Sequence, residues 1–331
     1  MTVSPQTNTT LEGIASQLMS HESFAICGHV NPDGDCIGST LGLATALRSV
    51  GKNVYALVAD DEPLSRSFSF MKGFDDVIPA SSFDERFEVF VMVDAPNANR
   101  IGEAAQAVKD RASLTITIDH HEVPERHSQY SYTDPDSPST TLLIWKIAQM
   151  LGITEDSGDM RHVAECCYAG LLTDTGRFMH QNTNYDAFAD ATQMVACGIS
   201  PSAIASSLFQ QRTRASVELD SIAVSRMRVL GGGDTVLSWI TLEDMRRLDA
   251  TNHDAENAIA PIRSIAGIDI ACLLKERQDC VRGSLRSKND VDVAAIAREF
   301  GGGGHKAAAG FTLDCGLSEA ISIMEKRLSV L

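Results

Sequence analysis

The chain lacks any apolar run approaching the roughly eighteen residues that a membrane span requires. It also opens without the basic-then-apolar pattern of a secretory signal. A cytoplasmic protein with no membrane partner is therefore expected. Eight cysteines, at positions 27, 36, 166, 167, 197, 272, 280 and 315, form no Cys-x-x-Cys pair and no dense framework. That excludes a zinc ribbon or a disulfide scaffold and leaves them as reduced core fillers. Internal repeats and low-complexity segments are missing too. Positive charge is scarce: 28 Lys and Arg face 44 Asp and Glu, for a net charge of −16. A surface this acidic repels a nucleic-acid backbone, so a broad basic face for long duplexes is excluded. A small anionic ligand still fits if a few cationic groups or metal ions converge on it.

What is present is ordinary globular material. With 331 residues, 44% of them hydrophobic, the chain can bury a large core and more naturally forms two domains than one. From about residue 12 to 175, short apolar runs alternate with helical spacing. Ser23–Gly28, Asn53–Ala59, Glu88–Val93 and Ser113–Ile118 suit strands buried on both faces. Asp35–Val50, Pro63–Lys72 and Gly102–Lys109 predict helices, with Gly51 and Gly73 as stops. This alternation implies an α/β fold with a parallel sheet, whose ligands collect at the carboxyl ends of its strands. Residues 139–151 and 159–172 read as helices, followed by more helix from about 184 to 229. After Gly231–Gly233, strands near 235–241, 268–274 and 279–285 and helices near 254–265, 292–300 and 317–330 predict a second, smaller α/β domain. The expected division is a catalytic domain over 1–209, a linker region over 210–230 and a second domain over 231–331.

Ionisable residues gather where those strands end. His29, Asp33 and Asp35 lie on the turn after the first strand, Asp94 follows Val89–Val93, and Asp119-His120-His121 follows Leu114–Ile118. Asp174 ends an apolar helix. One Asp after a strand is commonly a helix cap, and an isolated His is commonly structural, as His21, His127, His162, His180 and His253 are read here. Strands that each deliver acids or imidazoles to one edge are different. Without cations, their mutual repulsion would be costly or would force protonation. Carboxylates with imidazoles suit divalent ions of the manganese, magnesium or cobalt kind, so a dinuclear centre is expected. Farther on, Gly301-Gly302-Gly303-Gly304-His305-Lys306 follows Ser284-Leu285-Arg286-Ser287-Lys288. A glycine run lets backbone amides nest around an anion, and Arg286, His305 and Lys306 add positive charge to phosphate oxygens.

These motifs, in this order, resemble the DHH/DHHA1 phosphoesterase family, over about residues 10–325. Asp119-His120-His121 matches the motif that names it. His29–Asp35, Asp94 and Asp174 match the other metal motifs, and Ser284–Phe311 is similar to the DHHA1 motif. The resemblance is greatest to the nanoRNase A type, which is a bifunctional oligoribonuclease and 3′-phosphoadenosine-5′-phosphate phosphatase. Some relatives also act on cyclic di-AMP or its linear product. It implies a DHH domain and a smaller DHHA1 domain with the active site in the cleft between them. Two divalent ions, manganese first, would be held by His29, Asp33 and Asp94 and by Asp35, Asp94, His120 and Asp174. Asp94 would bridge them and serve catalysis together with His121, which would contact the reacting phosphate or protonate the leaving oxygen. Arg286, Ser287, Gly302, Gly303, Gly304 and His305 would bind substrate. The implied partners are short single-stranded RNA, dinucleotides and nucleotide bisphosphates, and the implied assembly is a homodimer. Leu142 departs from the family where relatives carry an acidic residue, which touches local packing or assembly and not the metal set. A family II pyrophosphatase, a RecJ-like exonuclease and a nucleotide-binding sensor are the rival readings. The pyrophosphatase lacks such a glycine loop, RecJ adds segments this chain has no room for, and every expected metal position is filled.

Overall fold

The computed structural model describes residues 7–331 apart from 123–125, 155, 257 and 289. It divides into two compact units, Met1–Gln211 and Arg212–Leu331. In the first, α1 (Leu11–Ser20) precedes β1 (Ser23–Cys27), α2 (Gly34–Ser49), β2 (Asn53–Val58), β3 (Ile78–Pro79) and β4 (Val89–Val93). Then come α3 (Gly102–Lys109), β5 (Leu114–Asp119), β6 (Tyr130–Thr133), α4 (Thr140–Met150), α5 (Gly158–Asp174), α6 (Tyr185–Ala196) and α7 (Pro201–Phe209). The strands form one parallel sheet in the order β3-β2-β1-β4-β5-β6. Alternation along each strand feeds two cores. Phe24, Ile26, Val89, Val91 and Val93 pack with α2, α4 and α5, while Ala25, Cys27, Phe90 and Met92 pack with Ile101, Ala105 and Val108 around α3. The order reverses between β1 and β4, which opens a crevice at their carboxyl ends.

Helix α2 is buried along nearly its whole length, from Gly34 to Leu47. Its glycines at 34, 38 and 42 recur every four residues and turn one bare face to α5. A Cβ on Gly38 would stand 2.6 Å from the Cys166 carbonyl, so only glycine permits this approach. At the far end of the contact, Gly34 meets Thr173, one residue before Asp174. The close pairing thus brings the start of α2 beside the end of α5.

In the second unit, α8 (Arg214–Ser225) precedes β7 (Arg228–Leu230), β8 (Thr235–Ile240), α9 (Leu242–Arg247), α10 (Ile259–Arg263), β9 (Ile270–Glu276) and β10 (Val281–Ser287). It finishes with α11 (Val293–Arg298), β11 (Gly303–His305), β12 (Ala308–Leu313) and α12 (Leu317–Leu328). The sheet order is β11-β12-β10-β9-β8-β7, antiparallel except where β8 pairs β9. One face packs Leu237, Cys272, Leu274, Leu285 and Phe311 with α11 and α12 residues such as Ile296 and Met324. On the other, Val236, Ile240, Ala271 and Leu273 pack with Leu219 and Ala223 of α8 and Ile259 and Ile262 of α10.

Several expected elements differ. Pro63–Lys72 holds only a 3-10 turn at Arg66–Phe68. The Ser65 hydroxyl accepts from the Ser67 amide at 3.3 Å, a local bond that competes with helix. The stretch 184–229 is three helices, broken at Gly198 (φ 86°), at Pro201 behind its Ser200 cap, and at Thr213, which caps α8. The 210–230 region does not run as a connection, because α8 packs into the core of the second unit. Strands β3, β6, β7, β11 and β12 were not expected. The first two are short edge pieces, and the last two are rich in glycine and alanine, held by pairing more than by propensity.

Gly38→Ala should destabilise the first unit by about 1–3 kcal/mol, because the Cys166 carbonyl cannot retreat as a side chain can. Thermal unfolding of the variant should show the loss. An unchanged midpoint would mean that α2 and α5 tolerate a wider spacing.

Candidate metal centre

The switch-point crevice gathers the acids and imidazoles. Asp33 caps α2, its Oδ1 accepting from the amides of Asp35 and Cys36 at 3.0 and 3.1 Å, so the cap aims Asp35 inward. Asp35 is 1% exposed and lies at the start of α4. Its oxygens accept from the Thr140 amide (2.8 Å), the Thr141 amide (3.0 Å) and the Thr141 hydroxyl (2.7 Å). Gly170 of α5 leaves room for this arrangement, since a Cβ there would be 2.8 Å from Asp35 Oδ1. Asp94 adopts a left-handed conformation (φ 50°), costly for a residue other than glycine and found chiefly where a site demands it.

That turn places the Asp94 carboxylate between two histidines. Its Oδ2 lies 3.5 Å from His29 Nε2 and its Oδ1 lies 3.7 Å from His120 Nε2. Around His29 Nε2 stands Asp33 Oδ1 at 3.8 Å; around His120 Nε2 stand Asp35 Oδ2 at 3.9 Å and Asp174 Oδ2 at 3.8 Å. Both rings turn Nδ1 to a backbone carbonyl, Val30 at 2.9 Å and Ser137 at 3.2 Å. This contact suits a ring that offers Nε2 as a ligand. Nitrogen and oxygen donors at about 2.1 Å from one ion stand roughly 3.0–3.5 Å apart, so these slightly longer gaps match donors around an ion better than hydrogen bonds. The residues fit divalent metal on both sides of Asp94.

Electrostatics point the same way. Burial and the neighbouring Asp94 and Asp174 push Asp35 well above the usual carboxylate range. Burial raises Asp174 to about 6, against the pull of His120. Burial opposes the charge on His120, yet Asp174, Asp35, Asp94 and Asp119 raise it to about 10. Burial likewise opposes charge on His29, and Asp33 and Asp94 overcome it. For Asp94 itself, burial is outweighed by the His29 bond and the charges of His121, His29 and His120, which hold it far below the ordinary range. Without cations the cluster keeps protons in their place.

Sequence reasoning overlooked several contributors. Asp119, 0% exposed, accepts from the His120 amide at 2.9 Å and pairs with His121 Nδ1 at 2.7 Å; its Oδ2 is buried with no hydrogen-bond partner among the described residues. His121 Nδ1 is 3.7 Å from Asp94 Oδ1. The Thr140 hydroxyl donates to Asp94 at 3.0 Å, and Asn182 donates to Asp174 at 3.0 Å. Cys36 is a free, buried thiol, as expected, and it lies beside His29 and Asp94 while donating to the His29 carbonyl at 3.8 Å. Ser139-Thr140-Thr141 at a helix start was the one signal in the sequence that could have flagged the hydroxyls.

In the second unit, Arg286 and Ser287 separate. Strand alternation leaves Arg286 half-buried on one face and sends Ser287, 1% exposed, to the other. Arg263 of α10 donates to the Ser287 carbonyl at 3.3 Å and stands near Arg286. Burial and that second guanidinium lower Arg286 to about 10. The expected four-glycine nest is altered: the Gly301 and Gly302 amides donate to Arg298 and Ala297 at the end of α11. A Cβ on Gly302 would lie 2.8 Å from Phe311 Cα, so this glycine serves packing and offers no amide to an anion. Gly303 and Gly304 enter β11, and the His305 side chain lies outside the described set.

Residues 23–171 match the DHH family, N-terminal domain, and residues 235–329 match the DHHA1 domain. The chain belongs to the DHH/DHHA1 phosphoesterase family. It is 28% identical to the bifunctional oligoribonuclease and PAP phosphatase NrnA of Thermus thermophilus, over 87% of this chain and 83% of that protein. The Bacillus subtilis protein of the same description is 27% identical, over 88% and 90%. Among solved structures, an exopolyphosphatase-related protein from Bacteroides fragilis superposes with a TM-score of 0.87 at 27% identity, covering 96% of this chain and 95% of that one. The expected α/β architecture and family therefore hold. No helix among the described residues is long and apolar enough to cross a membrane.

Metal binding should release protons, because a cation takes the place of the one held on His120, raised to about 10, and competes with protonation of His29 and Asp35, both shifted upward. Affinity should therefore rise with pH, by roughly tenfold per unit for each proton displaced. Calorimetry of manganese binding in buffers of different ionisation enthalpy at pH 7 would count them. Binding with no proton release would contradict the electrostatics described for the cluster.

Proposed function

We propose that this DHH/DHHA1 protein is a two-metal phosphoesterase of the nanoRNase A type. It would remove mononucleotides from the 5′ end of short RNAs and release phosphate from 3′-phosphoadenosine-5′-phosphate. The observation that carries this reading is Asp94, whose two oxygens face different histidines, as a carboxylate bridging two ions would. His29, Asp33 and Asp94 would hold one ion, and Asp35, Asp94, His120 and Asp174 the other, manganese first. When bound, such a pair lowers the pKa of a shared water and stabilises the entering and leaving oxygens of an in-line displacement.

The chain's own residues supply orientation and protons. Asp119 fixes the His121 ring through Nδ1, so Nε2 can carry a proton to the leaving oxygen. Thr140 and Thr141 hold Asp94 and Asp35 in place through the reaction. Arg286, with Gly303, Gly304 and His305, would grip the substrate's terminal phosphate and so measure from the 5′ end. The relatives named as oligoribonuclease and PAP phosphatase support nucleotide substrates. A net charge of −16 favours short strands, of about two to five nucleotides, because each added phosphate must lie against repulsion. Cyclic di-AMP or its linear product, a cytoplasmic setting and a homodimer belong to the same reading.

Asp94→Ala should lower kcat by about 10³ or more, since it removes the shared ligand of both ions. Keeping more than about a tenth of wild-type turnover in metal-replete buffer would overturn the bridging role. A second measurement addresses substrate: kcat/KM for a 5′-phosphorylated dinucleotide and for a strand of about two dozen nucleotides, at low and moderate salt. The dinucleotide should win, most clearly at low salt. Equal efficiency would favour a RecJ-like nuclease, and cleavage of pyrophosphate without nucleotide release would favour a pyrophosphatase. Metal binding with no hydrolysis of any of these would leave a sensor.

A further inference from the structure

The turn from His29 to Asp33 must reverse the chain over a very short span. Laid out straight, its two end residues would stand roughly 13 Å apart. Instead His29 Nε2 and Asp33 Oδ1 lie 3.8 Å from each other. The reversal falls at Asn31, which is left-handed with φ 53°. Asparagine tolerates that region better than most side chains do. Yet Asn31 precedes Pro32, and a residue before proline is pushed towards extended backbone. Such a conformation persists only where the surroundings over-determine it.

Two neighbouring loops supply the grip. From the β4 side, the Arg100 carbonyl accepts the Val30 amide at 2.6 Å. The Val30 carbonyl in turn meets His29 Nδ1 at 2.9 Å, so this grip reaches the imidazole ring. From the β2 side, the Asp60 carboxylate accepts the amide of Asn31 itself, the left-handed residue. The loop that carries Asp60 is anchored in its turn. The Ser81 hydroxyl donates to the adjacent Asp61, and Val58 pairs with Pro79 of β3. Gly102 shows how closely the three loops meet: a Cβ there would stand 3.2 Å from Val30 Cγ1 and 3.8 Å from the Ala59 carbonyl oxygen. Asp60 is the unexpected member. Another carboxylate close to an acidic centre is unfavourable unless the bond it accepts outweighs the repulsion. An ionised acceptor holds an amide about twice as strongly as a neutral one.

We propose that Asp60 is a positioning residue of the metal centre. By holding the Asn31 amide, it fixes the turn that sets His29 and Asp33 around one ion. Its effect falls on that side of the centre. Asp35 is held separately by Thr140 and Thr141, and His120 and Asp174 stand on other elements. The role rests on the two-metal phosphoesterase reading and deepens it, by naming a group outside the ligand set that governs how tightly one ion is held.

Manganese binding to the whole chain tests this, by calorimetry and electron paramagnetic resonance, for wild type, Asp60→Ala and Asp60→Asn. Asp60→Ala should bind one of the two ions about ten- to a hundredfold more weakly, the usual cost of losing such a supporting partner, and the other nearly as in wild type. At stoichiometric manganese, the coupled spectrum of an ion pair should give way to that of a single ion. Raising manganese should restore kcat, with KM for a 5′-phosphorylated dinucleotide unaltered. Asp60→Asn keeps an oxygen for the Asn31 amide and should hold both ions within about threefold of wild type. Should Asp60→Ala not fold, Asp60→Leu, matched in shape to asparagine but accepting no bond, takes its place. Two ions held by Asp60→Ala as tightly as by wild type would overturn the positioning role and leave the phosphoesterase reading standing. Loss of an ion from Asp60→Asn would also overturn it, since charge and not the bond to Asn31 would then be what matters. A wild-type protein that holds two ions but hydrolyses neither short RNA nor 3′-phosphoadenosine-5′-phosphate would overturn the phosphoesterase reading and leave the positioning role standing.

Discussion

Four carboxylates, Asp33, Asp35, Asp94 and Asp174, crowd around two buried imidazoles, and the first unit is organised around making that tolerable. Bringing like charges into a low-dielectric crevice costs several kcal/mol per ion unless opposite charge or hydrogen bonds compensate. The protein supplies donors where it can. Asp33 receives the first amides of α2, and Asp35 receives the first amides of α4, where the helix dipole also favours negative charge. Asp94 takes a hydroxyl and Asp174 takes an amide side chain. What these donors leave uncompensated, protons or cations must neutralise, and the spacing of the donors suits cations.

The backbone follows from that requirement. Asp94 can face both histidines only because β4 ends at the reversal of strand order and the chain then turns left-handed. Asp35 and Asp174 can share His120 only because α2 and α5 run close together. That closeness depends on glycine at 38 and on space beside Gly170. A methyl group at either place would act on the metal centre through geometry, without touching a ligand. Core packing and chemistry are therefore one problem in this unit.

Legibility in the sequence tracked the kind of force involved. Strands β1, β2, β4 and β5 were readable because burial on both faces leaves continuous apolar runs, and the acids at their ends were readable because position after a strand fixes the sheet edge. The supporting groups were not. Asp119 reads as the first letter of a motif, and nothing local says that it will hold the neighbouring His121 ring. Thr140 and Thr141 act across more than a hundred residues on Asp35, a pairing that only tertiary structure creates. Cys36 was read as filler because burial is its commonest fate, and it is buried and free, beside His29 and Asp94. Pro63–Lys72 failed for a local reason, since the Ser65 hydroxyl takes the Ser67 amide.

The glycine run shows why composition misleads at the second site. Four adjacent glycines read as one device, a nest of amides, yet the structure gives them different tasks. Gly301, with φ 72°, and Gly302 end α11 and spend their amides there; Gly304 has a positive φ that other residues resist; Gly303 faces open space. β-Propensity argues against strand at such residues, and pairing with β12 overrides it, because a partner strand offers hydrogen bonds that glycine can take as well as any residue. Becoming a strand also changes what the motif can do. A nest would point several amides at one anion, whereas a strand alternates its residues between two faces. Residues of the run that pair in β11 therefore cannot all turn their amides to one point.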